Sequence, residues 1–167
     1  RSLILRLAEM PKFAQAEFHQ SQVEYYAKYS ELMYRILRIK RLQFFIESIM
    51  NTEDIARDKV KEIKVMRLPS FYSRRFKNVG DKRQLFGRYS PKKRLIEIYP
   101  LLIWSNQKEP IKSGSMDLNK KPGQIGVHTI KTVIWEILRA KYGNERDKVK
   151  ELPDKYFKLY EKTIVNS

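Results

Sequence analysis

The chain of 167 residues contains no cysteine and only two histidines, His19 and His128. Without thiols it can form no disulfide bond and no thiolate zinc site, and it has no cysteine nucleophile. Two imidazoles are also too few for a metal site built from several histidines of one chain. We therefore expect a protein that binds no metal and no cofactor.

The sequence also lacks a run of about 18 apolar residues, the length that a membrane-spanning helix needs. Its opening stretch, RSLILRLAEMP, is too short and too charged to act as a secretory signal peptide. Hydrophobic residues make up 42% of the chain, which is enough to bury a core and disfavours disorder. These features predict a globular protein without a membrane span, and we expect it in the cytoplasm.

Acidic residues are few compared with basic ones. The chain has 35 lysines and arginines against 19 aspartates and glutamates, which leaves a net charge of +16. Such an excess destabilises a compact fold by self-repulsion unless an anionic partner offsets it. Phosphate backbones and anionic membrane surfaces are the usual partners, so the charge predicts binding to nucleic acid or to a membrane surface. The abundance of charged residues, with no cysteine, is also typical of proteins from thermophiles.

Residues 1–64 are predicted to form a helical N-terminal part. Residues 12–50 contain no glycine or proline and carry apolar side chains at a helical period, so we expect helix there with a break near 18–21. Residues 1–10 are interpreted as one or two helical turns. A second helix is predicted from residue 52 to residue 61 or 64, with a threonine as its N-cap.

The charges of that second helix alternate in sign. Its four cations are Arg57, Lys59, Lys61 and Lys64, and its four acids are Glu53, Asp54, Asp58 and Glu62. Such a mixture is typical of a solvent-facing surface and disfavours a binding face.

Residues 65–167 are predicted to form an α+β part. Strands at 84–89 and 94–99, joined by a turn at 90–93, would make an antiparallel hairpin. A final helix is expected at 154–164, opened by a proline. The predicted fold class is therefore α+β, with helices first, a small antiparallel β-sheet next and C-terminal helices last. We expect the two parts to form one compact domain together.

The clearest helix is predicted between Gly126 and Gly143. Its apolar residues form one stripe at a period of 3.6: Ile130, Val133, Ile134, Ile137 and Leu138. Since Ile134 and Ile137 lie at the centre of the stripe, both are predicted to be buried. The opposite face is expected to carry His128, Lys131, Trp135, Arg139 and Tyr142.

The segment Trp135-Glu136-Ile137-Leu138-Arg139 has the frame of the H-E-x-x-H helix of zinc peptidases. Its glutamate is present, but Trp135 and Arg139 occupy the positions of the two metal-binding histidines. With the preceding hairpin and the following helix, residues 65–164 resemble the small zincin-fold metallopeptidases. The resemblance implies a zincin-like fold without metal ligands, a candidate cleft at Trp135, Glu136 and Arg139, and a protein-interaction module. The same helix is also typical of an ordinary core helix with a polar outer face.

Residues 67–94 interleave ten cations and five aromatic residues with a single acid, Asp81. Lysine and arginine neutralise phosphates, and aromatic rings stack on unpaired bases. The predicted nucleic-acid-binding residues of this stretch are Arg67, Arg74, Arg75, Lys77, Lys82, Arg83, Arg88, Lys92, Lys93 and Arg94. A second group, which we call the basic ridge, consists of Arg35, Arg38, Lys40 and Arg41.

These patterns favour a non-catalytic nucleic-acid-binding protein, with DNA preferred over RNA as its partner. A nuclease would need clustered carboxylates for a divalent metal. Glu97 and Glu136 are the only candidate pair, and both also suit ion pairs with nearby cations. A membrane-surface role for helix 12–50 ranks below these alternatives. Its many aromatic residues fit core contacts or a homo-oligomer formed through the N-terminal helices.

Overall fold

The computed structural model describes residues 3–70, 85–101, 122–143 and 145–165. The first part forms strand β1 (Ile4–Leu7), helices α1 (Lys12–Glu17), α2 (Gln20–Leu37) and α3 (Lys40–Thr52), a 3₁₀ turn (Arg57–Lys59) and strand β2 (Glu62–Val65). The second part forms strands β3 (Gly87–Ser90) and β4 (Leu95–Ile98) and helices α4 (Pro122–Tyr142) and α5 (Arg146–Val165). The predicted α+β fold class is confirmed.

The four strands of the described residues form one sheet in the order β1-β2-β4-β3. β3 and β4 form the predicted antiparallel hairpin, with its turn at residues 91–94. The sheet as a whole is mixed, because β1 is parallel to β2 and β2 is parallel to β4. The predicted division after residue 64 falls inside β2.

Two of the helical predictions in residues 1–64 are wrong. Residues 4–7 form β1, which pairs with β2, so the N-terminal segment is extended. The expected helix beyond residue 52 is absent: α3 ends at Thr52, and the chain turns at Asp54, whose φ is 55°. It then passes through the 3₁₀ turn into β2, where Ile63 and Val65 are buried. Segments of about four residues are too short for a helical period to be distinguished from alternation.

The helical segment at 12–50 has two breaks. The first, between α1 and α2 at Phe18–His19, agrees with the prediction. The second, at Arg38–Ile39, separates α2 from α3 and was not expected. At the first break His19 caps α2, because its backbone N–H donates to Gln22 Oε1 at 3.1 Å and its Nδ1 accepts from the backbone N–H of Ser21.

One face of the sheet carries the core. Leu5, Leu7, Ile63, Val65, Ile96 and Ile98 pack there in one cluster with side chains from α2 and α4. Ile134 and Ile137 of α4 are both fully buried, so their predicted burial is confirmed. None of the helices in the described ranges is long and apolar enough to cross a bilayer.

The two C-terminal helices are longer than predicted. α4 begins at Pro122, before Gly126, and its end at Tyr142 is followed by Gly143 in the left-handed conformation, with a φ of 57°. α5 begins at Arg146, so Pro153 lies inside the helix and does not open it. Its N-terminal half was too charged to give a clear apolar period.

Candidate functional site

A cavity of about 420 Å³ lies between α4 and the chain that enters β3. Leu85, Phe86 and Gly87 form one wall. Successive turns of α4 supply the other wall with His128, Lys131, Thr132, Trp135, Glu136 and Arg139. We call this cavity the cleft. All three residues of the candidate cleft expected from the sequence therefore line one cavity.

Gly87 is the closest point of contact between the two walls. A Cβ atom at this position would lie 2.8 Å from Thr132 Cγ2 and 2.9 Å from Glu136 Cγ. Real Cβ atoms do not approach other heavy atoms so closely, so only glycine permits this packing. Gly87 thus allows β3 to pack directly against Glu136 of α4.

Glu136 is the most deeply buried polar side chain of the cleft, with 3% of the residue exposed. Its Oε1 atom has no hydrogen-bond partner within the described residues, and its Oε2 atom is 3.7 Å from Arg139 Nη1. Burial raises the pKa of this carboxyl to about 7, although the charge of Arg139 acts to lower it. Glu136 therefore titrates near neutral pH.

His128 was expected on the polar outer face of α4, but it is 5% exposed. Its Nε2 lies 3.3 Å from the carbonyl oxygen of Tyr99, to which it donates. Phe86 covers the ring from the strand side, with the two ring centroids 5.3 Å apart. Burial lowers the pKa of His128 to about 4, so the imidazole is neutral at pH 7.

The rim of the cleft combines exposed aromatic rings with cations. Phe86 is 50% exposed and Trp135 is 37% exposed. The side chains of Lys131 and Arg139 are 46% and 38% exposed. Lys131 Nζ lies 3.8 Å from Asp154 Oδ1, a distance at which an exposed ion pair contributes little. The rim is therefore open to solvent and positively charged.

The fold separates the two glutamates considered for a nuclease. Gly87 and Ile98 are partners in the sheet and lie on the face that packs against α4. Because side chains alternate along a strand, Glu97 lies on the opposite face. There it is in register with Lys64 on β2 and Arg88 on β3. The paired-carboxylate arrangement is therefore not formed by Glu97 and Glu136.

Among the predicted phosphate-binding residues, Arg67 makes internal contacts. Its Nε donates to the carbonyl oxygen of Ala8 at 2.8 Å, and its Nη1 donates to that of Ala27 at 3.2 Å. Nη1 also lies 3.4 Å from a carboxylate oxygen of Glu31. The side chain is 17% exposed, so Arg67 links β1, α2 and the end of β2. Arg74, Arg75, Lys77, Lys82 and Arg83 lie outside the described residues.

The hairpin turn carries Lys92, Lys93 and Arg94, all exposed. The fold brings it to the segment that precedes β2. The backbone N–H of Lys61 donates to the carbonyl oxygen of Arg94 at 2.8 Å, and the Tyr89 hydroxyl donates to that of Lys59 at 2.6 Å. We call the resulting group of six exposed cations the basic end: Arg57, Lys59, Lys61, Lys92, Lys93 and Arg94.

Three residues of the basic end were missed by the sequence reasoning. Arg57, Lys59 and Lys61 were assigned to a mixed-charge helix, but no such helix forms. Asp58 is the only acid within their segment, and no carboxylate of the described residues lies within ion-pair distance of the six cations. The signal that could have found them is their position directly before a strand that pairs with the hairpin.

The basic ridge surrounds the break between α2 and α3. Its four residues are exposed, and the Arg38 guanidinium lies 5.7 Å from the centre of the Tyr34 ring. α2 runs antiparallel to the parallel strands, because Ser30 near its middle bonds to Met66 after β2 and Leu37 at its end lies beside Leu3 before β1. The ridge and the basic end therefore lie at the same end of the sheet.

Within the described ranges, no group of three or more histidine, cysteine, aspartate or glutamate residues is placed to hold a metal ion. Comparisons with protein-family models, curated proteins and solved structures found no match to this chain. The function is therefore inferred from the geometry and charge of the two sites.

Proposed function

We propose that this protein binds nucleic acid without catalysing a reaction on it, and that the basic end contacts the phosphates. The observation that supports this proposal is that two cationic segments distant in sequence, residues 57–61 and the hairpin turn at 91–94, lie side by side. The pairing of β2 with β4 gathers six exposed cations, with Asp58 between Arg57 and Lys59 in sequence and Glu62 next to Lys61. Exposed lysines and arginines that form no ion pair with the described residues are available to displace counterions from a phosphate backbone.

The position of the basic ridge extends this surface. It lies at the same end of the sheet, so a backbone that crosses the hairpin turn can continue towards α2 and α3. No base-reading helix or known recognition motif is needed for such binding, because phosphate contacts carry no sequence information. DNA is the first partner to test, with RNA as the comparison.

The test removes four charges from the basic end and four from elsewhere. The first variant replaces Lys59, Lys61, Lys92 and Lys93 with glutamine. The matched control replaces Lys150, Lys155, Lys158 and Lys162, which are exposed on α5. Affinity for duplex DNA, single-stranded DNA and RNA is measured at several salt concentrations.

We expect the basic-end variant to reduce the slope of log affinity against log salt by about 2 to 4, since each lost phosphate contact contributes about 0.9. The α5 variant should retain most of the wild-type slope. If both variants lower affinity equally, only the net charge matters and the basic end is not a site.

A second candidate function is a metal-free interaction module with a zincin-like fold. The observation that favours it is the cleft, in which Trp135, Glu136 and Arg139 lie together beside β3. We expect protein purified without a histidine tag to contain no stoichiometric zinc, because no imidazole or thiol replaces the two ligands. One zinc ion per chain in elemental analysis would contradict this proposal.

A further inference from the structure

The cleft contains a hydrogen-bond acceptor that lacks a partner. Only 3% of Glu136 is exposed, and its Oε1 atom receives no hydrogen bond from any described residue. An unsatisfied buried carboxyl destabilises a fold, so such a group needs a specific explanation, and a donor supplied by a ligand is one. Glu136 lines an open cavity, so a ligand in the cavity can approach its carboxyl group, although Oε1 itself is not exposed to solvent.

The charges around the acceptor restrict the donor. Arg139 Nη1 lies 3.7 Å from the other oxygen of Glu136, and Lys131 lines the same cavity. A cationic ligand would be repelled by both. A neutral N–H group on a ligand that also carries an anion fits better, because the carboxyl accepts the hydrogen bond and the two rim cations attract the anion.

The walls of the cleft favour a flat ring. Phe86 and Trp135 offer half-exposed aromatic surfaces, and the neutral imidazole of His128 packs against Phe86. A volume of about 420 Å³ is within the range of small-molecule sites and exceeds the size of one nucleobase. Aromatic side chains stack on bases of any identity. A nucleotide combines a planar N–H donor with an anion and therefore meets both requirements.

We propose that the cleft receives one unpaired nucleotide, with an N–H edge of the base on Glu136, the ring against Trp135 or Phe86, and the phosphate at Arg139 and Lys131. This inference rests on the proposed function in its choice of ligand class. It adds a base-contacting site on α4 to the phosphate contacts at the basic end. An unpaired base can enter the cleft, whereas a base stacked in a duplex cannot.

The first experiment titrates the intact protein with the four nucleoside monophosphates and with the matching nucleosides, using calorimetry or amide chemical shifts. We expect micromolar to millimolar binding of at least one monophosphate and weaker binding of its nucleoside. The Glu136→Gln and Trp135→Leu variants should each lose about tenfold or more in affinity. Arg139→Gln should weaken the monophosphate and leave the nucleoside unchanged.

Two control variants make the same kinds of substitution outside the cleft. Phe44→Leu removes an aromatic ring that is 69% exposed outside the cleft, and Lys155→Gln removes an exposed cation on α5. Neither should change monophosphate affinity. Thermal unfolding of every variant verifies folding, and Glu136→Gln is not expected to destabilise the protein.

The inference is overturned if no monophosphate binds the wild type at millimolar concentration, or if Glu136→Gln binds as tightly as the wild type. Binding of an extended peptide in place of nucleotides would also overturn it and would assign the cleft to the interaction module. The two proposals fail separately. The basic-end variant should keep monophosphate binding, and Glu136→Gln should keep the salt slope for duplex DNA.

Discussion

Two glutamates at helix α4, one buried and one partly buried, differ in whether their carboxyl oxygens have hydrogen-bond partners. Glu136, on the helix itself, has an oxygen without a described partner, and burial raises its pKa to about 7. Glu53 lies just after α3. Its Oε1 accepts a hydrogen bond from the Tyr142 hydroxyl at 2.5 Å, and its Oε2 accepts one from the Tyr156 hydroxyl. Although desolvation opposes the shift, these two hydrogen bonds and nearby lysines lower the pKa of Glu53.

The difference separates a structural carboxylate from a candidate binding group. Around Glu53 the partners come from α4 and α5, and the Lys141 ammonium donates to the Glu53 carbonyl oxygen. The hydrogen bond to Glu53 is the main cause that raises the pKa of Tyr142 to about 12. Both carboxylate oxygens of Glu53 therefore have a hydrogen-bond donor within the chain. Around Glu136 a cavity takes the place of such partners among the described residues, and this is the reason for proposing the cleft as a ligand site.

The largest expected loss of stability comes from a substitution that weakens the packing of α4, the helix next to both glutamates. Ile137 is fully buried on α4, beside Glu136 in sequence. Ile137→Ala should lower the free energy of unfolding by about 2 to 5 kcal/mol, because a cavity remains in the core. Chemical denaturation checks this value. Exposed Leu159→Ala on α5 is the control and should change stability far less.

The next effect is a pH-dependent gain of stability in Glu136→Gln. Because the folded pKa of about 7 exceeds the unfolded value of 4.5, the native state binds the extra proton and loses stability as pH rises from about 4.5 to 7. Glutamine removes this loss, so the variant should be more stable than the wild type by about 2 to 3 kcal/mol at pH 8.

At pH 4 the advantage of Glu136→Gln should nearly vanish, because the wild-type carboxyl is then protonated in both states. Denaturation at pH 4, 6 and 8 measures the trend. If the difference in stability between the variant and the wild type is the same at all three pH values, Glu136 is not desolvated in the folded protein.

The smallest effect has the opposite sign and concerns Glu53. Its folded pKa is lowered, so its contribution to stability is present above the unfolded pKa and is lost as pH falls through the folded pKa. Glu53→Gln should therefore destabilise the protein by about 1 kcal/mol at pH 7 and by less at pH 3. The same pH series measures it. A loss that grows on acidification would contradict the hydrogen-bonded carboxylate.

Much of the chain could be predicted from local patterns. The stripe of α4, the cap at Gly143, the β3–β4 hairpin and the break at Phe18–His19 all follow from periodicity and turn residues. The two four-residue strands at β1 and β2 did not, because alternation over so short a segment resembles one helical turn. β1 pairs with β2, which lies 58 residues further along the chain (Ile4 with Glu62), and β2 pairs with β4, which lies 33 residues further (Glu62 with Leu95).

The candidate sites show the same division. The sequence by itself determined the excess of cations, the absence of thiols and the Trp135-Glu136-x-x-Arg139 frame, because composition and helical spacing are local properties. Only the tertiary structure decided which charges act together. Parallel pairing of β2 with β4 joined Lys59 and Lys61 to the hairpin turn, and the close approach at Gly87 set Glu136 in the wall of a cleft. Burial and neighbouring charge, which arise from contacts between distant segments, can shift the pKa of an ionisable group by up to about 3 to 5 units from the value that its identity sets.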